Sequence, residues 1–101
     1  MVDKIIPQFI KVLGKNVEID FNDSTLEELG LLGRASSPNL KIELTSNQAM
    51  DQVKDTLLHE VLHLISSFQA LELEENTVIR LSTAFMDLLV NNKKLVRFLV
   101  S

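Results

Sequence analysis

The chain contains no cysteine, no tryptophan and no tyrosine. Without cysteine there is no disulfide framework and no thiolate metal site, and a reducing cytoplasm is the default expectation. Any metal would have to be held by histidine and carboxylate. The aromatic complement is five phenylalanines, so a core must be built mostly from Leu, Val and Ile. Glycine occurs three times and proline twice, and no linker, low-complexity tract or internal repeat is visible. No apolar run reaches the ~20 residues that span a bilayer, which argues against a membrane partner. The opening "MVDKIIPQFIKVLGK" breaks its apolar residues with Pro7, Gln8 and Lys11 and lacks the pattern of a signal peptide. An excess of basic charge is lacking too. The formal net charge is −4, which argues against a nucleic-acid backbone as the main partner. The longest basic cluster, Lys93, Lys94 and Arg97 in "NNKKLVRFLVS", suits the C-terminal end of a helix.

What is present suits one compact domain over residues 1–101, with 46% apolar residues to fill its core. In "FIKVLGKNVEIDF", two β-rich runs flank Gly14-Lys15, and Gly in the first loop position predicts a type II′ hairpin. Val17, Ile19 and Phe21 alternate with Glu18 and Asp20, as in a half-buried strand. "DSTLEELG" then offers a capping box, Ser24 with Glu27, and a stop at Gly30, which predicts one or two helical turns. "LLGRASSPNLKIELTS" is expected to be a polar turn leading into a strand at Leu40 to Leu44. That strand either borders the next helix as a sheet edge or packs Leu40, Ile42 and Leu44 on the helices.

From Ser46 or Asn47, both good N-caps, a helical pattern runs to about Phe68. Its apolar stripe is Met50, Val53, Leu57, Val61, Leu64 and Phe68; the other face carries Gln52, Asp55, Thr56, His59, His63 and Ser66. A second helix is expected at about Glu74 to Val90, with Val78, Leu81, Phe85, Leu88 and Leu89 on its buried side.

The chain has two histidines, and both lie in "HEVLH" on the first of these helices. Residues four apart on a helix are one turn apart and about 40° round the axis, so both imidazoles can address one ion. Two imidazoles and a carboxylate form a zinc set that leaves one position open. Glu60, directly after His59, projects beside such an ion. There it can take a proton from zinc-bound water, whose pKa falls to about 7, and pass it to a leaving amine. The plainer alternative is a polar helix face that happens to carry His and Glu. Because this helix is apolar round much of its circumference, its histidine face is expected to be covered. The third ligand would come from the start of the next helix. Helical phase leaves Glu74 and Glu75 equally placed, and the helix dipole favours acids there with or without a metal.

"HEVLH" followed by "LEENTVIRLSTAF" resembles the minimal HExxH zinc metallopeptidases of the gluzincin type, closest to ImmA/IrrE-like domains and small related phage and prophage proteins. The likeness covers most of the chain after Phe9. In that family a short sheet precedes the HExxH helix, and the ligand glutamate opens the next helix in the pattern E-x-x-A-N-x-F-A. Here Glu75 to Ser82 reads E-x-x-V-x-x-L-S, departing from the pattern at Asn76, Val78 and Ser82. The resemblance implies Zn2+ held by His59, His63 and Glu75, with Glu60 as the catalytic base. It implies a peptide bond in an intracellular protein as substrate. In that family the strand bordering the active-site helix holds the substrate as an added antiparallel strand, a role "NLKIELT" would fill if it is the sheet edge and not simply a third strand packed on the helices. For the oxyanion there is no tyrosine or spare histidine, only Arg34 or Arg80 outside the C-terminal segment. The expected fold is α+β, with a three-stranded antiparallel sheet packed on the HExxH helix and a second C-terminal helix. The alternative function is a zinc-stabilised, non-catalytic protein-binding module. The oligomeric state is left open.

Overall fold

The structure is a computed structural model that describes residues 6–101. Strands β1 (Phe9–Val12) and β2 (Lys15–Phe21) are followed by helix α1 (Asp23–Leu29), then β3 (Gly33–Ser36) and β4 (Lys41–Leu44). Helices α2 (Met50–Phe68), α3 (Glu75–Asn91) and α4 (Lys93–Val100) complete the chain. The α+β class is as expected, but the sheet is not. It has four strands in the order β1-β2-β4-β3, and β2 and β4 run parallel while the two outer pairs are antiparallel. The unexpected strand is "GRAS", which has no β-branched residue and no alternation to betray it. Its pairing with β4 (Gly33 opposite Leu44, Ser36 opposite Lys41) comes from the main chain.

The hairpin forms with its turn one residue earlier than expected. Val12 pairs with Lys15, so the loop is Leu13-Gly14, with φ of 51° and 79°. Two positive φ values make a type I′ turn, which matches strand twist but favours Asn, Asp or Gly at both positions. Leucine is strained there and its side chain is mostly exposed. Leu13→Asn is expected to stabilise the protein by about 1 kcal/mol, read as a higher urea midpoint at unchanged slope.

The inward residues of the strands, Val12, Val17, Ile19, Ile42 and Leu44, meet Val53 and Leu64 of α2 in one core. Each fully buried aliphatic chain contributes about 1.5–3 kcal/mol. The predicted stripe of α2 does face this sheet, with Leu57, Val61 and Phe68 packed at its margin. Helix α1 stops at Gly30 (φ 71°), whose N–H bonds Glu27 O while that of Leu31 bonds Leu26 O. Its start differs from the expected capping box. Asp23 opens the helix, and its carboxylate accepts the Ser46 N–H at 2.6 Å and the Ser46 hydroxyl, which hold its pKa below the usual carboxylate value. Glu27 accepts from Asn47 Nδ2 at 2.7 Å. Ser46 and Asn47 are thus engaged with α1, and α2 begins later, with Ala49 preceding Met50.

Helix α3 packs on α2 through Val78 and Ser82, both buried, but Phe85, Leu88 and Leu89 of the predicted buried side are exposed. The stripe continues beyond the surface that covers it. No helix among the described residues is long and apolar enough to cross a membrane.

One glycine sets how closely the sheet approaches α2. A Cβ on Gly33 would lie 2.7 Å from Thr56 Cγ2, 3.1 Å from Glu43 O and 3.2 Å from Leu44 Cδ2. Gly33→Ala therefore has to push β3 away from α2 and is expected to cost about 1–3 kcal/mol in chemical denaturation. Thr56→Ser removes the clashing methyl and keeps the hydroxyl, so it should recover part of that loss.

Candidate metal centre

His59 and His63 project from one face of α2, as the one-turn spacing requires, into a space bordered by β3 and α3. Glu75 opens α3, and one carboxylate reaches both rings. Its Oε1 lies 2.6 Å from His59 Nε2 and its Oε2 lies 3.2 Å from His63 Nε2. The two Nε2 atoms are 3.1 Å apart. Donor atoms around a tetrahedral zinc at ~2.0–2.1 Å stand roughly 3.3 Å from one another; the two Nε2 atoms are close to that separation, whereas the 2.6 Å contact of Glu75 with His59 is hydrogen-bond short and would have to open for an ion. His59, His63 and Glu75 form the one group of potential metal ligands among the described residues, with donor atoms within 4.8 Å of one another. Glu74, which helical phase left as an alternative, precedes the helix and is outside this group.

The start of α3 is placed by the connection that follows α2. Ala70 and Glu72 take left-handed φ values of 52° and 53°, turning the chain sharply. Ser66, one turn beyond His63, is buried and holds both sides of the turn. Its carbonyl accepts the Leu71 N–H at 2.9 Å and its hydroxyl accepts the Leu73 N–H at 3.0 Å. Glu75 is therefore positioned from the turn of α2 that follows His63. Ser66 falls on the polar face of the helical pattern, and only the tertiary contact shows what its hydroxyl does.

Glu60 is 7% exposed. Burial, and then the neighbouring Glu75 charge, push its carboxyl up from 4.5 to about 7. A carboxyl with that pKa can carry or release a proton near neutral pH.

The histidine face is covered only in part: His59 and His63 are half-buried, while Gln52 and Asp55 of the same face are exposed. His59, Glu60, His63 and Glu75 line a cleft of about 780 Å³ whose other walls are Leu31 to Ala35 and residues Ile79, Ser82 and Thr83 of α3. Gln48 fixes the first wall to α2: its Nε2 donates to Leu32 O at 3.1 Å and Thr45 O at 2.9 Å, and its Oε1 accepts the Thr56 hydroxyl at 3.1 Å. Of the two candidate arginines, Arg34 lines the cleft and Arg80 does not. Arg34 Nε donates to Glu43 Oε1 at 2.6 Å.

The strand bordering the cleft is β3, not β4. The expected substrate strand at Leu40 to Leu44 is hydrogen-bonded on both sides, to β2 and β3, so it has no free edge. Leu40 lies outside it in a turn, with φ 49°. The signal that could have revealed β3 is indirect: Gly30 and the turn containing Pro38 bracket a segment of strand length. Compared with family models, curated proteins and solved structures, the chain finds no match.

Proposed function

We propose that the chain is a zinc-dependent hydrolase of peptide bonds, a small HExxH metallopeptidase acting on a protein or peptide inside the cell. The observation that carries this reading is the convergence of His59 Nε2, His63 Nε2 and one Glu75 carboxylate, with buried Glu60 in the same cleft. Two imidazoles and a carboxylate are the donor set of hydrolytic zinc sites, and these three residues would hold the ion. When bound, it supplies Lewis acidity toward a carbonyl oxygen and acidifies water.

The protein's own groups supply the rest. Glu60 takes the proton of an attacking water and passes it to the leaving amine nitrogen, a transfer worth about 10²–10⁴ in rate. The outer edge of β3 presents main-chain N–H and C=O groups that a peptide can pair with as an added strand. Such a peptide would pass along the wall formed by Gly33, Arg34 and Ala35, opposite the histidines. Arg34 keeps N–H donors beyond the one committed to Glu43, and these favour negative charge developing on a carbonyl oxygen there.

The test is elemental analysis of the purified protein and of His59→Ala, followed by peptide hydrolysis with Glu60→Gln as control. The expected result is about one zinc per chain in the wild type, little in His59→Ala, and zinc without hydrolysis in Glu60→Gln. A wild type that takes up no supplied zinc sinks the proposal. A zinc-loaded wild type no more active than Glu60→Gln favours the second reading, a non-catalytic binding module stapled by its metal. The extensive exposed apolar surface of α3 and α4 speaks for that one.

A further inference from the structure

Helix α4 has an amphipathic surface that stays largely exposed among the described residues. At about 100° per residue, Lys93, Lys94 and Arg97 fall in one sector and Leu95, Phe98 and Leu99 in the opposite one. Its packing within the chain is against the end of α3, and Phe98 and Leu99 remain 76% and 64% exposed. None of the three cations is ion-paired among the described residues. Three of the ten basic side chains lie in this helix, while all fourteen acidic residues precede it.

A second surface of the same chain has the opposite character. The end of α1 and the segment after it expose Leu29, Leu31 and Leu32, the first at 54% and the last at 49%. Glu27 and Glu28 adjoin them, both exposed and neither ion-paired among the described residues. Glu27 is held in place by Asn47 Nδ2. One surface is an apolar ridge with a basic border; the other is an apolar patch with an acidic border.

We propose that two copies of the chain associate reciprocally, α4 of each lying on the Glu27–Leu32 surface of the other. A two-fold axis makes the same contact twice, so a modest patch counts double. Burying the leucines and phenylalanine supplies the drive, and the opposed charges set partner and orientation. Because Leu31 and Leu32 also line the metal-centre cleft, the partner's helix forms part of the cleft's outer wall. The association stands independently of whether the centre holds zinc or hydrolyses anything.

The experiment is sedimentation equilibrium of the full chain over a range of concentration and salt. The expected result is a monomer–dimer equilibrium that weakens as salt rises. Lys94→Glu with Arg97→Glu should raise the dissociation constant at least about tenfold, and adding Glu27→Lys and Glu28→Lys to that chain should recover most of it. Phe98→Asp, at a site too exposed to matter for folding, should also dissociate the dimer. A protein monomeric at every concentration overturns the proposal, as does a dimer indifferent to both charge reversal and Phe98→Asp. A monomer that binds phosphatidylglycerol vesicles through α4 overturns it as well and gives the surface to lipid.

Discussion

Saturating zinc is expected to raise the melting temperature of the protein by roughly 15–30 °C. Ligand that binds only the folded state stabilises it by about 4.1 kcal/mol at a thousand times its dissociation constant. In a domain of this size each kcal/mol is worth about 4–8 °C. The shift is large because the donors converge only after folding: His59 and His63 come from α2, but Glu75 depends on the α2–α3 connection. His59→Ala and Glu75→Ala each leave two donors and should abolish most of the shift, whereas Glu74→Ala should preserve it. Calorimetry with and without a chelator makes the measurement. If Glu74→Ala loses the shift and Glu75→Ala keeps it, the ligand assignment is wrong; if wild type shows no shift, the metal centre is.

The second large effect is in the metal-free protein and concerns Glu60. Its carboxyl rises from 4.5 to about 7 on folding, so the folded state binds this proton more tightly than the unfolded state. Stability then falls as pH rises between those two values, and the penalty is complete above the folded pKa. At 1.36 kcal/mol per unit the loss is about 3 kcal/mol. Glutamine keeps the shape without the charge. Glu60→Gln is therefore expected to match the wild type near pH 4 and to be more stable by about 3 kcal/mol near pH 8, in urea denaturation with chelator present. With zinc and a peptide, the same variant should lose about 10²–10⁴ in hydrolysis rate. A group that destabilises the folded chain while promoting a reaction is expected at a catalytic site. Equal stability of the two proteins at pH 8 would mean that Glu60 is not desolvated as described.

Much of the centre was legible in local chemistry. The spacing of His59, Glu60 and His63 needs only the helical repeat, and the repeat is announced by the stripe from Val53 to Phe68 that buries itself on the sheet. The helix carrying Glu75 was equally visible, and Gly30 and Gly14 marked a helix end and a turn because positive φ leaves few other residues suitable. Turn register was less secure: moving the loop from Gly14-Lys15 to Leu13-Gly14 changes the turn type, and cross-strand pairing outweighed the poor fit of Leu13.

What local chemistry could not show depends on contacts between distant segments. β3 exists because β4 offers it a hydrogen-bonding edge, and main-chain bonding leaves no signature in "GRAS". The burial of α3 stops after Ser82 because that is where its cover ends, although the apolar pattern runs on through Phe85 and Leu89. Glu75 and Glu74 are neighbours of the same charge near one helix end, and periodicity cannot separate them. The turn through Ala70 and Glu72, held by Ser66, brings Glu75 alone to the histidines. Helical repeat is a property of each segment, whereas the meeting of a third donor with the first two is a property of the whole packed chain.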